Sequence, residues 1–234
     1  MLTLHTAELL VPGPGPGPKP GPGPGPGPGS APLPGGAVLV EGDRISRVGP
    51  YEELAAACPH ARVRRWPGVL TPGLWVRDGD VLLERTYYPD DPYEVTELGA
   101  DPISEDAALA DLKLTEVRWG HSARRGTQKL LARGVVAVAG RFAIPAVRTA
   151  VARSGLTILP PAQAGAGARE PSAPSLDPLA GRESVEEAFH GVLEPGAPAR
   201  FAAFAVADLA ELAARGTATC VATVIGGRLL HRRR

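Results

Sequence analysis

The stretch VLTPGLWVRDGD, running from Val69 to Asp80, separates two parts of the chain that read differently. Before it, Gly68-Val69-Leu70 is extended and runs into the turn Thr71-Pro72-Gly73. After it, strands and helices alternate. Within it, Asp78-Gly79-Asp80 sets two carboxylates around a glycine, which reads first as an ordinary turn, because Asp and Gly both accept turn conformations at low cost.

Working outward on the N-terminal side, Leu2–Leu10 and Ala37–Glu41 carry strand residue types, and Arg44–Val48 alternates so that Ile45 is out of phase with its arginine neighbours. Pro50 opens a helix over Tyr51–Ala57 that Pro59 ends, and Arg62-Val63-Arg64 is extended again. Between the first two strands lies nearly pure Pro-Gly alternation, from Val11 to Pro34. Proline removes a backbone donor and glycine maximises unfolded entropy, so this tract reads as a disordered loop. Its period of two is not that of collagen, which needs glycine at every third position.

On the C-terminal side, Ser104 is an N-cap for a helix beginning at Glu105, and a second helix is expected from Ser122 to Arg133, closed by Gly134. Val135–Ala139 is a continuous apolar run of strand length, as in a buried parallel strand. Pro145 begins a helix that closes at Gly155, and Leu156–Leu159 is a further strand. This βαβ rhythm predicts parallel pairing. Pro160–Arg182 is Ala/Gly/Pro/Ser-rich and reads as a linker. Ser184-Val185-Glu186-Glu187 matches a capping box. Phe201–Val206 is then a strand, Ala207–Ala214 a helix and Thr219–Arg232 a hairpin on Gly226-Gly227.

The bulk numbers narrow the class. The chain has 234 residues, formal net charge zero, and 29 Gly and 26 Pro, most of that excess in one tract. The terminal His231-Arg232-Arg233-Arg234 is the one basic run, and it reads as a solvated end, since nucleic-acid binding needs a wider basic patch. Cys58 and Cys220 stand far apart and read as reduced thiols. MLTLHTAELLVPG is too short and polar for a signal peptide, and no apolar run approaches about 18 residues. Only three lysines stand against 22 arginines beside abundant alanine, a bias of GC-rich bacterial genomes. The expectation is a cytoplasmic bacterial protein without nucleic-acid or membrane partners. The partner is an unidentified protein or small molecule, and a homo-oligomer fits equally.

Residues 37–74, AVLVEGDRISRVGPYEELAAACPHARVRRWPGVLTPGL, resemble the opening segment of the amidohydrolase superfamily, in particular imidazolonepropionases and aminodeoxyfutalosine deaminases. Residues 191–231 resemble the closing segment, and Arg124–Pro160 an early helix and strand of the barrel. The resemblance implies a mixed α/β chain: a composite β-sandwich from both chain ends with a metal-bearing (β/α)₈ barrel inserted between them. Residues 1–73 would then be the first sandwich half, 74–160 a βα segment, 161–182 a linker and 183–234 the second half.

The family's first barrel strand ends in His-x-His, two ligands for zinc or iron. Counted from Gly73, these positions hold Asp78 and Asp80, and imidazole suits those metals better than carboxylate. Later strands should add a lysine or glutamate, two histidines and an aspartate. Between the sandwich halves stand only His121 and His190, with Asp177 as the candidate last ligand, and the family's Ala-Asp is Ala199-Arg200 here. A closed barrel takes roughly 200 residues, while roughly 110 separate Leu74 from Arg182. The expectation is therefore a truncated barrel, no cofactor, and a binding or accessory role related to hydrolases of non-peptide C–N bonds. The alternative is an active C–N hydrolase or deaminase holding zinc or iron at Asp78, Asp80, His121 and Asp177. No nucleophile offers another route: His121 and Ser122 diverge along a helix, and Cys58 has no evident His partner. A link to menaquinone synthesis rests on the resemblance alone.

Overall fold

The computed structural model describes residues 2–14, 31–89, 91–161 and 175–233. The chain begins with strands β1 (Leu2–Thr6), β2 (Leu9–Leu10), β3 (Leu33–Pro34), β4 (Gly36–Glu41) and β5 (Arg44–Pro50), followed by helix α1 (Tyr51–Ala57). Strands β6 (Arg62–Arg65), β7 (Val69–Pro72) and β8 (Leu74–Val76) lead into helices α2 (Gly79–Glu84), α3 (Pro92–Leu98), α4 (Asp106–Asp111) and α5 (Glu116–Leu131). Then come β9 (Val135–Ala139), α6 (Pro145–Ser154), β10 (Thr157–Leu159), β11 (Arg200–Phe204), α7 (Leu209–Arg215), β12 (Cys220–Ile225) and β13 (Arg228–Arg232).

These strands form three sheets. The first has the order β5-β4-β1-β6, the second β13-β12-β11-β7-β2-β3, and the third, all parallel, β10-β9-β8. The second sheet interleaves both chain ends, because β7 pairs in parallel with β2 and antiparallel with β11. The architecture is thus mixed α/β, with a sandwich drawn from both ends and a βα segment between them. Val135–Ala139 pairs in parallel with Thr157–Leu159, one residue shorter than the expected Leu156–Leu159, as the βαβ reading predicts.

Alternation places the apolar residues. Val38, Val40 and Ile45 of the first sheet meet Leu70, Phe201, Ala203 and Val224 of the second in one core. Residues of opposite phase turn the other way. Leu4 and Leu39 lie under Leu54 of α1, and Phe204 packs with Leu74 and Leu212 behind the second sheet. Leu4 and Phe204 therefore face away from the inter-sheet core. Successive side chains point to opposite faces, so one core cannot hold every apolar residue of a fully buried strand.

Several elements differ from their sequence reading. The first strand breaks after Thr6, and its two pieces join different sheets. The ends of the Pro-Gly stretch are held: Val11 N donates to Leu70 O at 2.8 Å, and Leu33-Pro34 pairs with Leu9-Leu10. Residues 15–30 of that expected loop lie outside the described residues, as do 162–174 of the expected linker. Helix α5 begins at Glu116 rather than Ser122, because Thr115 Oγ1 accepts from Arg118 N and caps it six residues earlier. Helix α4 starts one residue late, with Glu105 at its cap. Ser184 caps nothing, and Glu186–Ala188 makes only a 3₁₀ turn. Asp78-Gly79-Asp80 is the start of α2 rather than an isolated turn, since Leu82 and Leu83 behind it sink into the core beside Leu130.

Candidate functional site

The Val69–Asp80 stretch crosses from sandwich to βα segment in one step. Gly73 N donates to Arg200 O of the second sheet at 3.1 Å, and Leu74 N donates to Gly134 O at 2.8 Å. Gly73 makes the crossing feasible: a β-carbon there would lie 2.3 Å from a Val136 methyl. Strand β8 then pairs with β9, Trp75 opposite Ala137 and Val76 opposite Val138. The chain leaves the sheet at Arg77 and Asp78 and enters α2.

Beyond that strand end opens a small, shallow cleft, about 40 Å³, lined on one side by Val76, Arg77, Asp78 and Leu82 and on the other by residues between Ser175 and Arg182. This is where ligands collect in parallel α/β sheets, outside the carboxyl ends of the strands. Two arginines dominate it. The Arg182 guanidinium stacks 4.3 Å over the Trp75 ring, and donates to Trp75 O at 2.9 Å and to Glu187 O. Trp75 Nε1 donates to the same Glu187 oxygen at 3.0 Å, which fixes ring and guanidinium together. Arg77 lies 6.0 Å from the same ring. Burial, and then the neighbouring Arg77, push the Arg182 pKa down to about 10. Two arginines thus share one ring, and the Glu187 carboxylate offsets part of the charge on Arg182.

The four residues expected from the sequence fare differently. Asp78 and Asp177 both line the cleft, whereas Asp80 and His121 do not. Asp78 is exposed and makes no side-chain cap to α2. Asp80 lies so close to Gly140 that a β-carbon there would come within 2.8 Å of its Oδ1. His121 is on the exposed face of α5. Asp177 is committed elsewhere: Oδ1 accepts from Leu179 N at 3.0 Å and Thr217 Oγ1 at 2.9 Å, and Oδ2 from Thr217 N at 3.2 Å. Arg133 adds an ion pair at 3.9 Å. Among the described residues, no three His, Cys, Asp or Glu side chains stand where they could share a metal ion. The described residues do not fit a zinc or iron centre built from histidines and carboxylates.

His190 and Arg200 act in the frame. His190 N donates to Gly73 O at 2.7 Å, and burial followed by the Arg200 charge lowers the ring's pKa below its usual value. Arg200 donates to Val136 O at 3.3 Å and Gly155 O at 3.2 Å, and so ties the sandwich to the parallel sheet. The sequence reading missed Trp75, Arg77 and Arg182. The first two were findable, since both stand in the quoted Val69–Asp80 stretch. Arg182, more than a hundred positions away, left no local signal.

Residues 36–61, which form β4, β5, α1 and the turn after it, match the family model of the imidazolonepropionase-like composite domain of bacteria. The composite-domain match overlaps residues 37–74, which already carried the resemblance, and begins one residue before them. No curated protein matches the chain. Among solved structures, similarity extends to ochratoxinase from A. niger (21% identity, TM-score 0.40, covering 67% of this chain and 30% of that one). It extends also to the aminofutalosine deaminase of Helicobacter pylori (13%, 0.41, 68% and 32%). A zinc-bound adenosine deaminase from Xanthomonas campestris is similar as well (16%, 0.41, 67% and 33%). The chain spans about a third of the length of these proteins. No helix among the described residues is long and apolar enough to cross a membrane.

Proposed function

We propose that this chain is a cytoplasmic bacterial protein that keeps the composite-domain frame of the amidohydrolases, has lost hydrolysis, and binds a small anionic molecule in the cleft beyond β8. One observation carries the reading: of the four candidate metal positions, all but Asp78 are engaged or placed elsewhere. Asp177 secures the Thr217 turn, Asp80 starts a helix against Gly140, and His121 faces outward. What converges on the cleft instead is the pair Arg77 and Arg182 on Trp75. Guanidinium forks recognise carboxylates and phosphates in two-point contacts, and a ring beneath them excludes water on one side.

The test is elemental analysis of protein purified without chelators, together with assays on imidazolone and aminodeoxyfutalosine substrates. The expected outcome is no stoichiometric zinc or iron and no turnover. The active-hydrolase reading draws support from Asp78 and Asp177 sharing one cleft. About one bound metal per chain, lost in Asp78→Ala together with turnover, would establish that reading and overturn ours.

A further inference from the structure

Away from the cleft, three arginines meet at one side of the sandwich. Strand β6 is an edge of the first sheet and β13 an edge of the second. The register Thr3↔Arg62 and His5↔Arg64 puts both arginines on the strand face that His5 shares, and the His5 ring packs 4.8 Å from Phe201 of the second sheet. Arg232 pairs with Ala222, whose side chain belongs to the inter-sheet core. Arg62, Arg64 and Arg232 therefore line one seam between the two edges.

Their bonding sets them apart. Arg65, on the other face of β6, donates to Tyr51 Oη at 2.7 Å and stacks on that ring, and Arg233 donates to Ala218 O at 2.9 Å. Among the described residues the three seam arginines have no ion-pair partner, and the Nε of Arg64 is buried without an acceptor. Charged residues on an edge strand commonly serve to repel other strands. That role needs the charge in water and gives no reason to bury a donor unpaired. Proximity is also felt electrostatically, since burial and then Arg62 and Arg232 lower the Arg64 pKa.

We propose that Arg62, Arg64 and Arg232 form a binding site for a small polyphosphate anion, whose charge offsets the mutual repulsion of the three guanidiniums. Three guanidiniums call for more than one negative charge, and tetrahedral phosphoryl groups present oxygens to several forks at once. A single carboxylate would neutralise one arginine and leave the others repelling.

The test is calorimetric titration of the full chain with tripolyphosphate at low ionic strength, with ATP and citrate as further arms. The expected result is one site per chain that weakens as salt is added, with citrate bound about tenfold less tightly. Affinity for ATP comparable to that for tripolyphosphate would place the source among nucleotides, and weaker ATP binding would favour free polyphosphate. Either keeps the proposal. Arg64→Gln and Arg232→Gln should each lower affinity about tenfold, the loss of one charge-assisted contact. Arg47→Gln, an exposed arginine on the far edge of the first sheet, should leave it unchanged. Should Arg64→Gln fail to fold, Arg62→Gln and Arg232→Gln, both at exposed positions, decide the matter. No heat of binding, citrate as tight as tripolyphosphate, or equal affinity in Arg232→Gln and Arg47→Gln would overturn the proposal.

Discussion

His5 sits between the sandwich sheets with its Nδ1 accepting from Trp66 Nε1 at 3.1 Å, and burial, then Arg64, push its pKa down to about 3. In the unfolded chain the ring would titrate near 6.5. The unfolded state therefore takes up the proton first. Stability contributed by the neutral ring is whole above about pH 6.5 and is lost as the pH falls toward 3, by at most ~1.4 kcal/mol per pH unit. Urea midpoints at pH 7 and pH 5 should reveal that loss, and His5→Gln should flatten the slope. An unchanged slope in the variant would assign the acid sensitivity to other groups. Asp177 allows a second comparison at this scale. Removing its carboxylate strands the buried Thr217 N–H and hydroxyl, so Asp177→Ala should cost about 1–3 kcal/mol and lower the melting temperature by several degrees. Asp78→Ala, at an exposed position, should stay within about 0.5 kcal/mol. Equal costs for the two in thermal melts would contradict their unequal roles.

Between elements, the passage from β7 to β8 is the narrowest fit. Gly73→Ala would drive a β-carbon into the Val136 methyls, and since Val136 is fully buried between layers it has little room to give. The expected loss is about 1–3 kcal/mol, and Val136→Ala in the same chain should recover part of it. A double-mutant cycle in urea showing simple additivity would mean the clash is relieved elsewhere. The same passage marks what a reader of the sequence could and could not see. Strands β4 and β9, helix α1 and the Gly226-Gly227 hairpin were legible because their periodicity and punctuation agree with their tertiary setting. Helix α2 was not: Asp78-Gly79-Asp80 is good turn chemistry, and only the burial of Leu82 and Leu83 against α5 makes it a helix start. The candidate site was half legible. Counting from Gly73 found Asp78 at the cleft, but the commitment of Asp177 to Thr217 and the pairing of Arg182 with Trp75 are long-range contacts that no local pattern encodes.

For the molecule as a whole, the second sheet takes β2, β3 and β7 from before the βα segment and β11, β12 and β13 from after it. A fragment of residues 1–190 lacks three of its six strands and the Phe201 and Val224 side chains of the inter-sheet core. It should be insoluble or non-cooperative on heating, and a sharp melt of soluble fragment would refute the shared sandwich. The pairing of Leu10 with Leu33 brings the two flanks of residues 15–30 together. Exchanging that segment for a short turn should therefore shift the melting temperature by less than about 5 °C, because closure entropy varies slowly with length. Extending the excision through Val11 and Leu33 should cost more, since Val11 is bonded to Leu70 and buried. The interleaved sheet also sets a timetable on the ribosome. Strand β7 emerges roughly 130 residues ahead of β11, so its hydrogen-bonding edge waits on the order of ten seconds for its partner. Nascent chains stalled or cleaved in that interval would display one open edge of a strand, Val69-Leu70-Thr71-Pro72, that the finished fold buries completely, a ready template for pairing with another chain.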